Sequence, residues 1–181
     1  MRRLFAAILS IIIALSGTYA IAENIEVEEN LFSVEITIPA DFAGEDNSQE
    51  SWDTTVAEGK CKSATVNEDG SVTIVMSKKQ HNDMLEDLKL QIDAGLVEMV
   101  ETSEGAAFVS IEANEDCTEF KAILSTDYVG MVETLSTFAL FLYGGMYNAF
   151  AGTTVENVTV TFINQATGEV IETYNSAEME F

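Results

Sequence analysis

One histidine, two cysteines and 31 carboxylates are the groups in this chain best suited to acid–base, nucleophilic or metal chemistry. His81 lies at helical spacing with Leu85, Leu88, Ile92, Leu96 and Met99. A histidine on such an apolar stripe, near a helix start, packs or caps more often than it catalyses. A catalytic triad needs a base held beside its nucleophile, and a zinc centre needs four nitrogen or sulfur ligands. Cys61, Cys117 and a lone histidine meet neither requirement. Dinucleotide, phosphate-loop, nucleophile-elbow and calcium-loop spacings are absent from the sequence. Asn67-Glu68-Asp69-Gly70 carries oxygen ligands, yet its order is that of a turn. No catalytic residue, metal ligand or cofactor is therefore assigned. Paired carboxylates could still cleave glycosidic bonds, so an acid-pair (Asp/Glu) hydrolase acting on an extracellular polymer is the alternative reading. Phe141, Tyr143, Tyr147 and Asn148 cluster around Gly144-Gly145. Buried tyrosine hydroxyls need partners, so this cluster is a candidate pocket floor or interface, with core packing as the plainer account.

Charge narrows the partners. The chain carries a formal charge of −23, and both arginines sit at positions 2 and 3. Nucleic-acid binding depends on cationic side chains that displace phosphate counterions, and that class is excluded. High negative charge also keeps an exported protein soluble.

Residues 1–22 read as a secretory signal peptide: Arg2-Arg3, an apolar run from Leu4 to Leu15, then Ala20-Ile21-Ala22 as cleavage site. The expectation is a secreted, extracellular protein beginning at Glu23. Thr18 stands where a lipoprotein would carry its acylated cysteine, so neither a lipid anchor nor a transmembrane span is expected after cleavage.

The remaining chain must supply the scaffold. Residues 23–30 read as a loose acidic lead-in, and 31–181 as one α+β domain. Phe32, Val34, Ile36 and Ile38 alternate with polar residues and predict a strand that ends at Pro39. Ser48 to Glu58 predicts a short helix with Ser48 or Asn47 as N-cap. Three hairpins are then expected around Asn67, Asn114 and Asn164. Their strands are 63–66 with 72–76, 108–113 with 119–124, and 155–163 with 170–174. Two helices, 78 to about 102 and about 127–150, separate the hairpins. The second is uncharged from Thr134 to Ala151. A helix apolar all round is buried on more than one side, and self-association through it, as a homodimer, is one way to achieve that. The expected architecture is an antiparallel sheet of about six or seven strands with two long helices packed on it. In that sheet Cys61 and Cys117 fall at the same end, which suggests a structural disulfide in an exported chain.

Four segments together resemble a family of small exported proteins and lipoproteins of Gram-positive (Firmicutes) bacteria. They are Asn30-Leu-Phe-Ser-Val-Glu-Ile-Thr-Ile-Pro39, Asn67-Glu-Asp-Gly-Ser-Val72, Lys78-Lys-Gln-His81 and Tyr143-Gly-Gly-Met-Tyr147. That resemblance implies a location and no established activity. The functional reading is a non-enzymatic extracellular protein that binds a partner or small ligand.

Overall fold

The computed structural model describes residues 25–44 and 47–178. The expected signal peptide lies outside them. The fold is α+β, but its strands form two four-stranded sheets in place of the single sheet expected. Each sheet belongs to one of two compact units. The first runs to Leu88 and includes Ala149–Thr153; the second comprises Lys89–Asn148 and the chain from Thr154 onward.

In the first unit the strands are β1 (Glu26–Glu29), β2 (Ser33–Ile38), β3 (Ser63–Val66) and β4 (Val72–Ser77), in the order β1-β2-β4-β3 and all antiparallel. Alternation puts one apolar face together. Val34 pairs with Met76, Ile36 with Ile74 and Ile38 with Val72, and all six are buried. The opposite face pairs Thr37 with Thr73, whose hydroxyls lie 3.2 Å apart. Phe32 does not join the apolar face. It sits in the β1–β2 connection and is 77% exposed. Strand β1 occupies the stretch expected to be a loose lead-in. Its three glutamates make an edge that repels further strand pairing, and Val27 packs on Gly152, where any Cβ would lie 2.9 Å away.

Helix α1 (Gln49–Ala57) begins with the expected cap, Ser48 Oγ accepting from the Ser51 amide. It ends in a Schellman arrangement: the Gly59 amide donates to Val56 O and the Lys60 amide to Thr55 O, with Gly59 at φ +75°. Helix α2 (Lys78–Thr102) follows β4 without a loop. A reciprocal capping box starts it: the Gln80 amide donates to Ser77 Oγ, and Gln80 Oε1 accepts from the Ser77 amide. Its buried stripe is His81, Met84, Leu88, Ile92 and Leu96.

The second unit contains β5 (Phe108–Ala113), β6 (Glu119–Leu124), β7 (Thr159–Asn164) and β8 (Val170–Asn175), in that order across the sheet. Both hairpins are antiparallel, as their turn sequences require. The β6–β7 pair is parallel. Helix α3 (Met131–Ala151) joins those two strands, and a helical crossover returns the chain in the same direction. Phe120, Ala122, Leu124, Val160 and Phe162 form a fully buried face. Helix α3 starts later than expected, because Gly130 precedes it and Glu133 closes its first turn. The Glu133 carboxylate is buried and accepts from the Ala107 amide. Along α3 only Met131 and Leu135 are exposed, which agrees with a helix covered on more than one side. No helix among the described residues is long and apolar enough to cross a membrane.

Candidate functional site

A cavity of about 190 Å³ opens in the first unit. Three elements build it. Helix α1 and its C-terminal turn contribute Trp52, Thr55, Gly59, Lys60 and, just beyond, Cys61; β4 contributes Ile74 and Met76. Helix α2 closes the wall with Gln80, Asp83, Met84 and Asp87, spaced to lie on one side of its first three turns.

The wall is held by a chain of polar contacts. Trp52 Nε1 donates to Asn47 Oδ1 at 3.0 Å, and Asn47 Nδ2 donates to Gly70 O at 2.6 Å. The indole is thereby tied to the β3–β4 turn. Gln80 Nε2 donates to Gly59 O at 2.7 Å, so the same side chain that caps α2 also fastens the turn after α1. Trp52, Ile74, Met76, Met84 and Cys61 are all buried and give the wall its apolar character. The charged groups are Lys60, Asp83 and Asp87. Lys60 pairs with Glu58. Asp83 pairs with Lys79 at 2.6 Å, in a contact whose side chains are 55% and 82% exposed.

Cys61 is the one sequence-stated site residue that lines this cavity. Burial pushes its thiol above the ordinary range, with Lys60 opposing the shift. A protonated thiol is a weak nucleophile. Cys117 lies in the second unit, and burial pushes its thiol up to about 11. Both sulfurs are free thiols in this structure. The disulfide was argued from a single continuous sheet, and the division into two sheets removes that premise.

The aromatic cluster of α3 lies in the second unit. Gly144 is a point of close backbone approach: a Cβ there would stand 2.5 Å from Cys117 O and 2.8 Å from Val158. Asn148 Nδ2 donates to Asp116 O at 2.7 Å and to Gly144 O at 3.0 Å. Gly145 has open space at its Cβ position. Tyr143 instead fits against Gly95 of α2, its hydroxyl 2.9 Å from where a Cβ would be. Burial raises the pKa of Tyr143, and of Tyr147 to which Cys117, Glu115 and Asp116 add. Phe141 is buried. The contacts made by Gly144, Asn148 and Tyr143 dock α3 onto the β5–β6 turn and α2.

His81 is buried, and its Nε2 lies 2.8 Å from Phe150 O. A carbonyl only accepts, so Nε2 carries the proton. The imidazole ties the start of α2 to the end of α3 within the first unit. Asn157, in an Asn-x-Thr triplet, spends its amide on Thr159 and Asn175 and its carbonyl on Ser176 and Ala177. Among the described residues, no three His, Cys, Asp or Glu side chains are grouped so as to hold a metal.

Trp52, Met84 and Asn47 were not identified from the sequence as site residues. No motif singles out Trp52 or Met84 in the sequence, and the role of Asn47 depends on a contact 23 residues away. Compared with protein-family models, curated proteins and solved structures, the chain matches none.

Proposed function

We propose that this chain is an exported, non-enzymatic protein that binds a small organic ligand in the cavity between α1, β4 and the first turns of α2. The observation that carries this reading is the combination of volume and lining. About 190 Å³ is slightly larger than an apolar cavity of roughly 150 Å³ that accommodates benzene. The space therefore suits a molecule built on one small ring or a short alkyl chain. Apolar walls with a few polar groups at the edge are the usual make-up of a small-molecule site.

The residues with chemical potential favour binding over catalysis. The Cys61 thiol is held protonated by burial, and His81 Nε2 is committed to a backbone carbonyl. At this cavity an acid pair would have to be Asp83 and Asp87, and these sit one turn apart on the same helix. A hydrolytic pair must flank the bond it cleaves.

Trp52 is the only tryptophan, so its emission reports occupancy directly. Titration of the purified chain with neutral one-ring probes such as 2-phenylethanol should give a saturable change in Trp52 emission. A rise in Tm with probe concentration should accompany it. A flat emission and an unmoved Tm across compact aromatic and aliphatic probes, charged or neutral, would overturn the proposal.

A further inference from the structure

We infer that the tip of the β1–β2 hairpin is a membrane-contact site, which lays Leu31 and Phe32 into the headgroup region of a zwitterionic phospholipid surface; this goes beyond the cavity and does not rest on it. The two side chains are consecutive in the turn and 80% and 77% exposed. The turn is tight, with the Asn30 amide donating to Ser33 O at 2.8 Å. Single apolar side chains on a surface are ordinary; two large ones together at the end of a hairpin mark a contact. A lipid interface accepts a protruding apolar pair without the matching hollow that a protein partner would have to supply.

The charges around the tip fit the same surface. Ser33 lies opposite Ser77, and Ser63 opposite Val75, so the starts of β2 and β3 and the end of β4 share one end of the sheet. Four of the chain's six lysines gather there: Lys60 and Lys62 ahead of β3, Lys78 and Lys79 at the start of α2. Lys62 Nζ donates to Phe32 O at 3.2 Å, directly behind the apolar pair. Lys78 pairs with Glu29, Lys79 with Asp83 and Lys60 with Glu58, and Glu28 opposes Glu35 one rung further from the tip. Charge at this end is close to balanced, in a chain of formal charge −23. A collar of lysines and glutamates suits a headgroup that itself carries one phosphate and one ammonium, and exposed ion pairs exchange partners at little cost. The overall charge repels a densely anionic surface, which leaves the zwitterionic one.

The test is co-sedimentation with phosphatidylcholine vesicles. It uses the chain from Glu23 onward, so that the apolar run of residues 4–15 does not report in place of the tip. Two apolar side chains give weak, reversible partitioning, half complete near about 1 mM lipid. Leu31→Ser/Phe32→Ser should weaken it at least about tenfold with Tm unchanged, because both positions are exposed. Lys62→Glu should weaken it by about two- to threefold. Met131→Ser/Leu135→Ser removes an exposed apolar pair in the second unit and should leave partitioning as it was. In Phe32→Trp, bromine-labelled phosphatidylcholine should quench the new indole, while Trp52 of the unmodified chain stays unquenched. Absence of co-sedimentation at about 10 mM lipid would overturn the inference, as would binding that survives Leu31→Ser/Phe32→Ser. A dimer in gel filtration that the same double substitution dissolves, without vesicle binding, would make the tip a protein contact and equally overturn it.

Discussion

The turns at Asn67–Ser71 and Asn114–Thr118 use the same circuit for different ends. In the first, Asn67 Nδ2 donates to Ser71 Oγ, and Asp69 Oδ1 accepts from the Ser71 amide and hydroxyl. In the second, Asn114 Nδ2 donates to Thr118 Oγ1, and Asp116 Oδ1 accepts from the Thr118 amide and hydroxyl. The fourth residue takes positive φ in both: Gly70 at +82° and Cys117 at +55°. Cys117 is the one non-glycine in that region among the described residues. The surroundings differ. The first turn accepts Asn47 through Gly70 O, and Asn47 in turn anchors the cavity's tryptophan. The second turn is covered by α3, whose Gly144 and Asn148 meet Cys117 O and Asp116 O. Local sequence builds the reversal; the element that lands on it decides whether the turn supports an open wall or a closed core.

Gly144→Ala attacks the closed side most severely. Its Cβ would meet a backbone carbonyl at 2.5 Å, and neither a fixed turn nor a helix can yield cheaply. We expect a loss of about 2–3 kcal/mol in denaturant unfolding, despite the better helix propensity of alanine. Gly145→Ala is the control: with open space there, it should stabilise by up to about 1 kcal/mol. Equal effects of the two substitutions would remove the close-approach account. Asn148→Ala strips the Asp116 carbonyl of its side-chain donor and should cost about 1–3 kcal/mol in the same assay.

Thiol chemistry separates the two cysteines' environments from a bridged state. Both thiols are buried and free, so a chromogenic disulfide reagent should react slowly with the native chain and release two equivalents after denaturation without reductant. Absence of thiol in the denatured sample would show a bridge. Burial also sets an alkaline limit. The folded Cys117 thiol titrates at about 11, above its ordinary 9.0. The unfolded chain therefore loses this proton first, and stability should fall as pH rises from 9 toward 11. Cys117→Ala should flatten that part of a stability–pH curve.

The smallest effect belongs to the open side. The hydroxyl and amide of Ser71 hold the Asp69 carboxyl below its ordinary 3.8. A depressed folded value gives stability that is present above the unfolded pKa and lost as pH falls through the folded one. Asp69→Asn should remove that acid-side slope in thermal melts from pH 5 to pH 2, and an unchanged slope would show that the contact is not formed in solution.

The parts of this fold legible in sequence are those governed by neighbours along the chain. Asn-Glu-Asp turns announced two hairpins and with them β4, alternation announced β2, and the stripe from His81 to Met99 announced α2, expected to about Thr102, where it ends. Sheet membership was hidden, because alternation records which face is buried and not which strand lies alongside. A physical clue was present in length. At about 1.5 Å per residue, the 25 residues of α2 span almost twice the length of a six-residue strand at about 3.3 Å per residue. A helix of that length exceeds one short sheet, and its residues divide between the two units. The cavity was hidden for a similar reason: no motif singles out Trp52, Met76 or Met84 in the sequence, and only the fold leaves space between them.

The most direct test places a ligand among named atoms. Methyl NMR of methionine-labelled chain, titrated with 2-phenylethanol, should shift the Met76 and Met84 signals together and saturably. Met131, exposed on α3 of the second unit, should stay in place. Unmoved Met76 and Met84 signals at saturating probe, or a shift confined to Met131, would contradict binding in the first-unit cavity.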